Sequence, residues 1–488
     1  MSSAENDPST HFGNIDNGVE LDLTQFGHEV ATVSVSQALS TETKLRVSPP
    51  STGITRYYNF TISRGSRSPD GVSKSMLLVN EQFPGPLIEA DWGDMVEVHV
   101  RNNIDNPKEG TVIHWHGLSQ HNTPWFDGVP SIQQCPIVPG KTFVYRFQAG
   151  DPQHFKYDID LGPILLTDYT HTEYFSYLLA LYHIPPDFLP VDNNLINGKM
   201  PFDCSLSNAT ICTSGASRSV FKFETGKTHL LRLINAGNSG IQKFSIDNHD
   251  LLVVANDYIP IKPYKTKVVT LGVGQRSDVL VTAGGNPTDA VWIRSEIDVD
   301  CLNVTSIQPN ATAAVYYPKA NIDKLPRTQR TAWSYNKCDP LSKTIPLYPK
   351  APGSPDLIKH ISLTVGTNGT GNLVFYVNNA SFYARYGQQL SPGTADEPAF
   401  IVIQWETDNP GIWPFHCHVS THASAGLYVN FLQKPDLVTD KRIPDIIRET
   451  CGAWNLYAKS NEVNQFDSGL KFRKDISHLQ RRSPIFSL

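Results

Sequence analysis

No apolar run in the 488-residue sequence is long enough to span a bilayer, which argues against a helical membrane protein. The first fifty residues, MSSAENDPSTHFGNIDNG and onward, also lack the apolar core of a secretory signal, so the start read literally is cytosolic. There is no long basic run either. With 41 Lys and Arg against 47 Asp and Glu, the chain has no stretch that could neutralise a phosphate backbone or an anionic membrane. Neither nucleic acid nor membrane is an expected partner. Amphipathic helices are scarce, with SYLLALYHI and DIIRETCGAWNLYA the best candidates, so a helical fold is not expected.

What is present points to an oxidising compartment. Six Asn-x-Ser/Thr sequons occur, at Asn59, Asn208, Asn303, Asn310, Asn368 and Asn379. Six of the seven cysteines could form three disulfides. Cys204 and Cys212 are close in sequence, Cys301 and Cys338 bracket a loop-rich region, and Cys135 and Cys451 lie near opposite ends. Cys417 is left over between two histidines, where a thiolate ligand explains it better than a failed bridge; the competing reading is a buried free thiol. An oxidising compartment without a visible signal leads to the expectation that the true N-terminus is missing or misassigned.

The length suggests about three domains of roughly 100–200 residues each. Residues 1–52 are polar and without apolar period, and are expected to be disordered. Beyond them, short runs such as MVEVHV, FVYRF, HLLRLI, KFSI, LLVVA, DVLVTA, VWIRS, LVFYV and FIVIQW recur between Gly, Pro, Asn and Asp. This is an all-β pattern, divided into regions 53–160, 161–320 and 330–456, with a tail at 457–488.

The strongest chemical signal is Pro414-Phe415-His416-Cys417-His418-Val419-Ser420-Thr421-His422, directly after an apolar run. In extended chain alternate side chains face opposite sides, so His416 and His418 share one face and Cys417 takes the other. A thiolate with imidazoles is the ligand set of a blue copper site, and His422 returns to the Cys417 side through the following turn. Leu427 would stand where an axial ligand could be. Being aliphatic it cannot bind, which favours reduced copper. The second signal is Ile113-His114-Trp115-His116-Gly117, whose two-residue period puts both imidazoles on one face. Alone, that pair reads as readily as two solvated or core histidines on a strand.

Taken together, these segments resemble the multicopper oxidases, and within them the ascomycete-type laccases. VNEQFPGPLIEADWGDMVEVHVRNN with IHWHGLSQHNTPWFDGVPSIQQCPIVPGKTFVYRFQA is similar to a first cupredoxin domain. RLINAGNSGIQKFSIDNHDLLVVANDYIPI with GQRSDVLV is similar to a second, and PGTADEPAFIVIQWETDNPGIWPFHCHVSTHASAGLYV to the end of a third. The resemblance implies three consecutive cupredoxin-like Greek-key β-barrels carrying four copper ions of types 1, 2 and 3. It implies that His114 binds type 2 copper, that His116, His416 and His418 bind the type 3 pair, and that Cys417 and His422 bind type 1. Electrons from a small aromatic reductant would pass through Cys417, His416 and His418 to a cluster that reduces O2 to water. A secreted monomer is implied. So is C-terminal processing after Leu470, in Asp467-Ser468-Gly469-Leu470-Lys471.

The pattern breaks twice. After Tyr145-Arg146-Phe147-Gln148-Ala149 a second H-x-H is expected, but Asp158-Ile159-Asp160 follows almost at once and His154 stands alone. Between Tyr386-Gly387-Gln388 and Leu390-Ser391-Pro392 an H-x-x-H-x-H segment is expected, and those parts are nearly joined. His360 has no histidine neighbours to substitute. By family roles one type 1, one type 2 and three type 3 imidazoles are missing, so the first and third domains are expected to be incomplete. The leading expectation is a laccase-like oxidase of phenols of which this chain is an incomplete rendering, through a faulty gene model or exon skipping. The rival is a catalytically inactive cupredoxin-fold binding protein. The stretch Asn235–Gly240 offers no carboxylate for a substrate pocket.

Overall fold

The computed structural model describes residues 49–130, 132–150, 156–174, 176–177, 191–206, 211–300, 305–332, 344–349, 353–367, 373–378, 403, 405, 407–439 and 443–460. The segment 1–48, the DSGL tail, His154, Cys301, Cys338, most of FIVIQW, SYLLALYHI from residue 178 onward, and four of the sequons lie outside these residues.

The first region forms one sheet from β1 (Thr55–Arg67), β2 (Lys74–Val79), β3 (Met95–Asn102) and β4 (Thr142–Gln148), in the order β2-β1-β3-β4. β1 and β3 run parallel and the other pairs antiparallel. Alternation drives it: Val96, Val98 and Val100 of β3 and Phe143, Tyr145 and Phe147 of β4 are buried, while the residues between them are not.

The second region stacks two sheets. Its strands are β5 (Ile159–Tyr169), β6 (Asn193–Ile196), β7 (Val220–Lys222), β8 (Thr228–Asn235), β9 (Gln242–Ile246), β10 (Leu251–Asn256), β11 (Ile259–Thr266), β12 (Val269–Leu271), β13 (Arg276–Thr282), β14 (Ala290–Ile297) and β15 (Asn310–Tyr316). Six lie in the order β11-β10-β13-β8-β5-β6 and five in the order β12-β9-β14-β15-β7. Leu231, Leu233, Val279 and Val281 from one sheet meet Phe244, Ile246, Ile293 and Val315 from the other in one core, as in a sandwich.

The third region shows two hairpin sheets, β16 (Leu363–Thr367) with β17 (Leu373–Val377) and β18 (Gly411–His416) with β19 (Tyr428–Gln433). α1 (Ser420–Ser424) joins β18 to β19, and α2 (Pro435–Thr439) and α3 (Asp445–Ser460) follow. The all-β expectation is met, and DIIRETCGAWNLYA is the helix α3.

Among the described residues two of the expected disulfides are formed, Cys135–Cys451 and Cys204–Cys212, and Cys417 is free; the expected partners Cys301 and Cys338 lie outside them. The first ties α3 to the first region, where Ile447 enters the core. A buried polar knot joins the first and second regions: Asp70 accepts from His171 Nε2 at 2.8 Å and from Asn193 Nδ2 at 3.1 Å. No helix among the described residues is long and apolar enough to cross a membrane.

Candidate metal centre

His114 and His116 lie in irregular chain rather than on a strand, yet the expected alternation survives around Trp115. The indole is buried against Tyr145 at 5.3 Å and Phe147 at 4.9 Å between ring centroids, which turns both imidazoles outward from the core. Gly128, at φ +86°, allows this loop to close, since a Cβ there would stand 1.8 Å from the Ile113 carbonyl oxygen. His114 Nδ1 is 2.8 Å from the carbonyl oxygen of Asp127. A carbonyl only accepts, so Nδ1 carries the proton and Nε2 is left as a free donor to a metal.

The other motif folds as the spacing suggests, although β18 ends at His416 and the chain bends at His418. His416 gives its Nδ1 proton to the Cys417 carbonyl at 2.9 Å, leaving Nε2 free, and its ring stacks on Tyr428 at 5.3 Å. The His418 ring lies 5.9 Å from that of His416 and 4.6 Å from that of His116. The Nε2 atoms of His116 and His418 are 3.2 Å apart. Two metal–nitrogen bonds of about 2.0 Å subtend roughly 105° at that separation, so this pair fits one ion.

Cys417 faces the opposite way and meets His422, which α1 brings back, with 3.6 Å between Sγ and Nδ1. Bonds of about 2.3 Å to sulfur and 2.0 Å to nitrogen subtend roughly 115° there, close to a trigonal site. The His422 ring packs on Phe375 at 4.5 Å. Leu427 clasps the loop through its backbone: Cys417 N–H donates to its carbonyl at 3.1 Å, and its own N–H donates to the His422 carbonyl at 3.0 Å. Burial pushes the Cys417 thiol up and the His422 imidazole down, so both favour their uncharged forms.

Copper's full ligand set is not assembled. Among the described residues no group of three or more His, Cys, Asp or Glu side chains could hold an ion, and the sequence has no histidine between His360 and His416. Each half-site fits one ion with two donors.

Three neighbours carry no signal in the motifs. Arg276 at the start of β13 places Nη1 3.4 and 3.5 Å from the two ring nitrogens of His116. Partial burial, then that guanidinium, then His418 push the His116 imidazole down to about 3. Gly274, two residues earlier, lies against the His418 ring. The stretch Asn235–Gly240 has no carboxylate of its own, but Asp168 from β5 lies beneath it and accepts the N–H groups of Asn238, Ser239 and Gly240 at 2.5, 2.7 and 2.6 Å. GQRSDVLV contains Arg276, but nothing in that run announces its contact.

Sequence profiles of the multicopper oxidases match residues 61–157, 160–320 and 394–437. Oxidoreductase OpS5 of Beauveria bassiana is 30% identical, over 86% of this chain and 89% of its own. That match runs over 531 positions, more than the chain's 488 residues, so the relative has residues without a counterpart here. Laccase-2 of Botryotinia fuckeliana is 29% identical over 86% of this chain and 89% of its own. The crystal structure of laccase from Botrytis aclada superposes with a TM-score of 0.76 at 28% identity, covering 86% of this chain and 96% of that one. With sheets of the cupredoxin-like kind and matches along most of its length, the chain belongs to the multicopper oxidase family.

Proposed function

We propose that this chain is a laccase-type oxidoreductase for small phenolic or related aromatic reductants with O2 as the final acceptor, secreted and monomeric. The observation that carries the reading is the Cys417–His422 pair, 3.6 Å apart at the end of a His-Cys-His strand whose two imidazoles face the other way. Copper bound there would supply one-electron exchange with an aromatic donor. Cys417 would hold it through sulfur, and the backbone through His416 and His418 offers the short path onward. His116 and His418 would share one further ion, with His114 and His416 presenting Nε2 beside them. Two disulfides and the exposed sequon residues Asn59 and Asn310 support an extracellular setting. The domains are placed at 53–160, 161–320 and 330–456, with the first and third shortened; the profile matches at 61–157 and 160–320 agree with the first two limits.

A second reading, an inactive cupredoxin-fold protein that retains metal, is favoured by the missing histidines and by the guanidinium beside His116. One titration separates the two. The full chain is loaded with copper during refolding, and the thiolate-to-copper absorption and phenol-dependent O2 uptake are followed together. Absorption that disappears in Cys417→Ser, with O2 uptake, supports the oxidase. The same absorption without uptake supports the second reading. If no absorption forms and no phenol is oxidised, the oxidase proposal fails for this chain.

A further inference from the structure

We propose that the turn Gly272–Arg276, which belongs to the second region and carries no ligand, is the positioning element of the His116/His418 pair, with Gly274 seating the His418 ring and Arg276 the His116 ring. The inference rests on the reading that those two imidazoles share one ion.

The turn is rigid in its own right. Gln275 N–H donates to the Gly272 carbonyl at 3.0 Å, and Gly272 N–H donates to Gln275 Oε1 at 2.7 Å. Its hydrogen bonds to β8 run both ways, from Gly274 N–H to the Asn235 carbonyl at 2.9 Å and from Asn235 N–H to the Gln275 carbonyl at 3.0 Å. Asn235 Nδ2 also donates to the Leu271 carbonyl at 3.0 Å. Gly274 has φ +78° at the third position of this turn, where glycine is the residue without steric cost.

From this fixed base the turn touches both imidazoles. A Cβ on Gly274 would stand 2.3 Å from His418 Nε2 and 2.4 Å from Cε1, so the ring occupies the space that any side chain would take. On the other side, Arg276 Nη1 donates to the Gly274 carbonyl at 3.0 Å and lies 3.1 Å from Asp257 Oδ1 as an ion pair. Nη1 also lies 3.4 and 3.5 Å from the two ring nitrogens of His116, within hydrogen-bond reach of whichever nitrogen is unprotonated. The guanidinium carbon sits 4.8 Å from the centroid of Tyr258, and a Cβ on Gly117 would meet Nη2 at 2.0 Å. The guanidinium is thus held by Tyr258, Asp257 and Gly117 while it backs His116. One short turn sets the separation of a histidine from the first region and a histidine from the third.

The test is Cu(II) titration of the full chain, read by electron paramagnetic resonance for the number of coordinated nitrogens and by calorimetry for affinity. His116→Ala identifies the signal that belongs to the pair. In Gly274→Ala the His418 ring must move, and the two-nitrogen pattern is expected to fall to one with affinity weaker by about 10- to 100-fold. Gly226→Ala is the matched control, since Gly226 has φ +80° and nothing within 4 Å of an added Cβ, so it carries the same backbone strain without the contact. If Gly274→Ala does not fold, Arg276→Met decides, with the same loss of one nitrogen expected. Two nitrogens and unchanged affinity in whichever of these variants folds overturn the positioning role while leaving the shared ion standing. A wild-type titration with no His116-dependent signal overturns the shared ion and the inference with it.

Discussion

Asp278 on β13 is a carboxylate whose surroundings work against its charge. Burial raises it from 3.8 to about 6, with Asp160 adding to the shift and Arg232 and Arg276 opposing it. A carboxyl with a folded value above its unfolded one binds more protons in the native state between the two, so stability falls as pH rises from about 4 to about 6 and is level above that. Asp278→Asn is expected to flatten this slope, read as the change in urea midpoint across the window. An unchanged slope would assign it to other groups. Residue-scale features of this kind separate what the sequence makes legible from what it hides. His416, Cys417 and His418 are legible because adjacent side chains must diverge, and Trp115 between two histidines is legible because only it is apolar. Arg276 and Asp168 are not, because they reach His116 across 160 positions and Asn238 across 70, and no local period encodes such contacts.

At the scale of elements, strands such as β3, β4 and β13 are legible because each buries every second residue. β5 escapes the period because Gly162 at φ +73° and Pro163 interrupt it, and its pairing with β8 shifts register between Asp160 and Pro163. α3 is legible from its helical period, and the expected Cys135–Cys451 pair ties it to the first region, but its packing contacts there are not legible. It lies on the first region, with Ile447 in the core, Trp454 against Gly110 and the Tyr457 hydroxyl donating to the Lys108 carbonyl at 3.3 Å. The Cys135–Cys451 bond closes a loop of 316 residues, and removing it in Cys135→Ser/Cys451→Ser is expected to cost about 2–5 kcal/mol. Urea unfolding gives the loss, and amide exchange within α3 shows where it falls. A double variant as stable as the parent would mean that apolar packing alone holds the helix.

At the scale of the whole molecule, the apolar core is unevenly shared among the described residues. The second region packs eleven strands in two facing sheets around a single large cluster, whereas the buried cluster described in the third is Ala425 with Phe375 packed against it. Leu363 and Val365 of β16 and Leu432 of β19 are exposed, as are Trp405 and, within β18, Phe415. Backbone protection follows buried apolar contact and hydrogen bonds shielded from water, so the regions should open with different free energies. Amides of β8, β9, β13 and β14 are expected to exchange slowest and those of β16 to β19 fastest. The site then spans the stability gradient, since the Gly272–Arg276 turn rests on the firm region and Cys417, His418 and His422 on the soft one. Metal that joins His116 to His418 binds the folded form alone, so saturation with copper should slow exchange in β18 and β19 selectively and leave β8 and β13 unchanged. Hydrogen exchange with and without copper measures both expectations. Equal protection in all three regions without metal would contradict the gradient, and slowing spread evenly over the chain would contradict a link at the histidine pair.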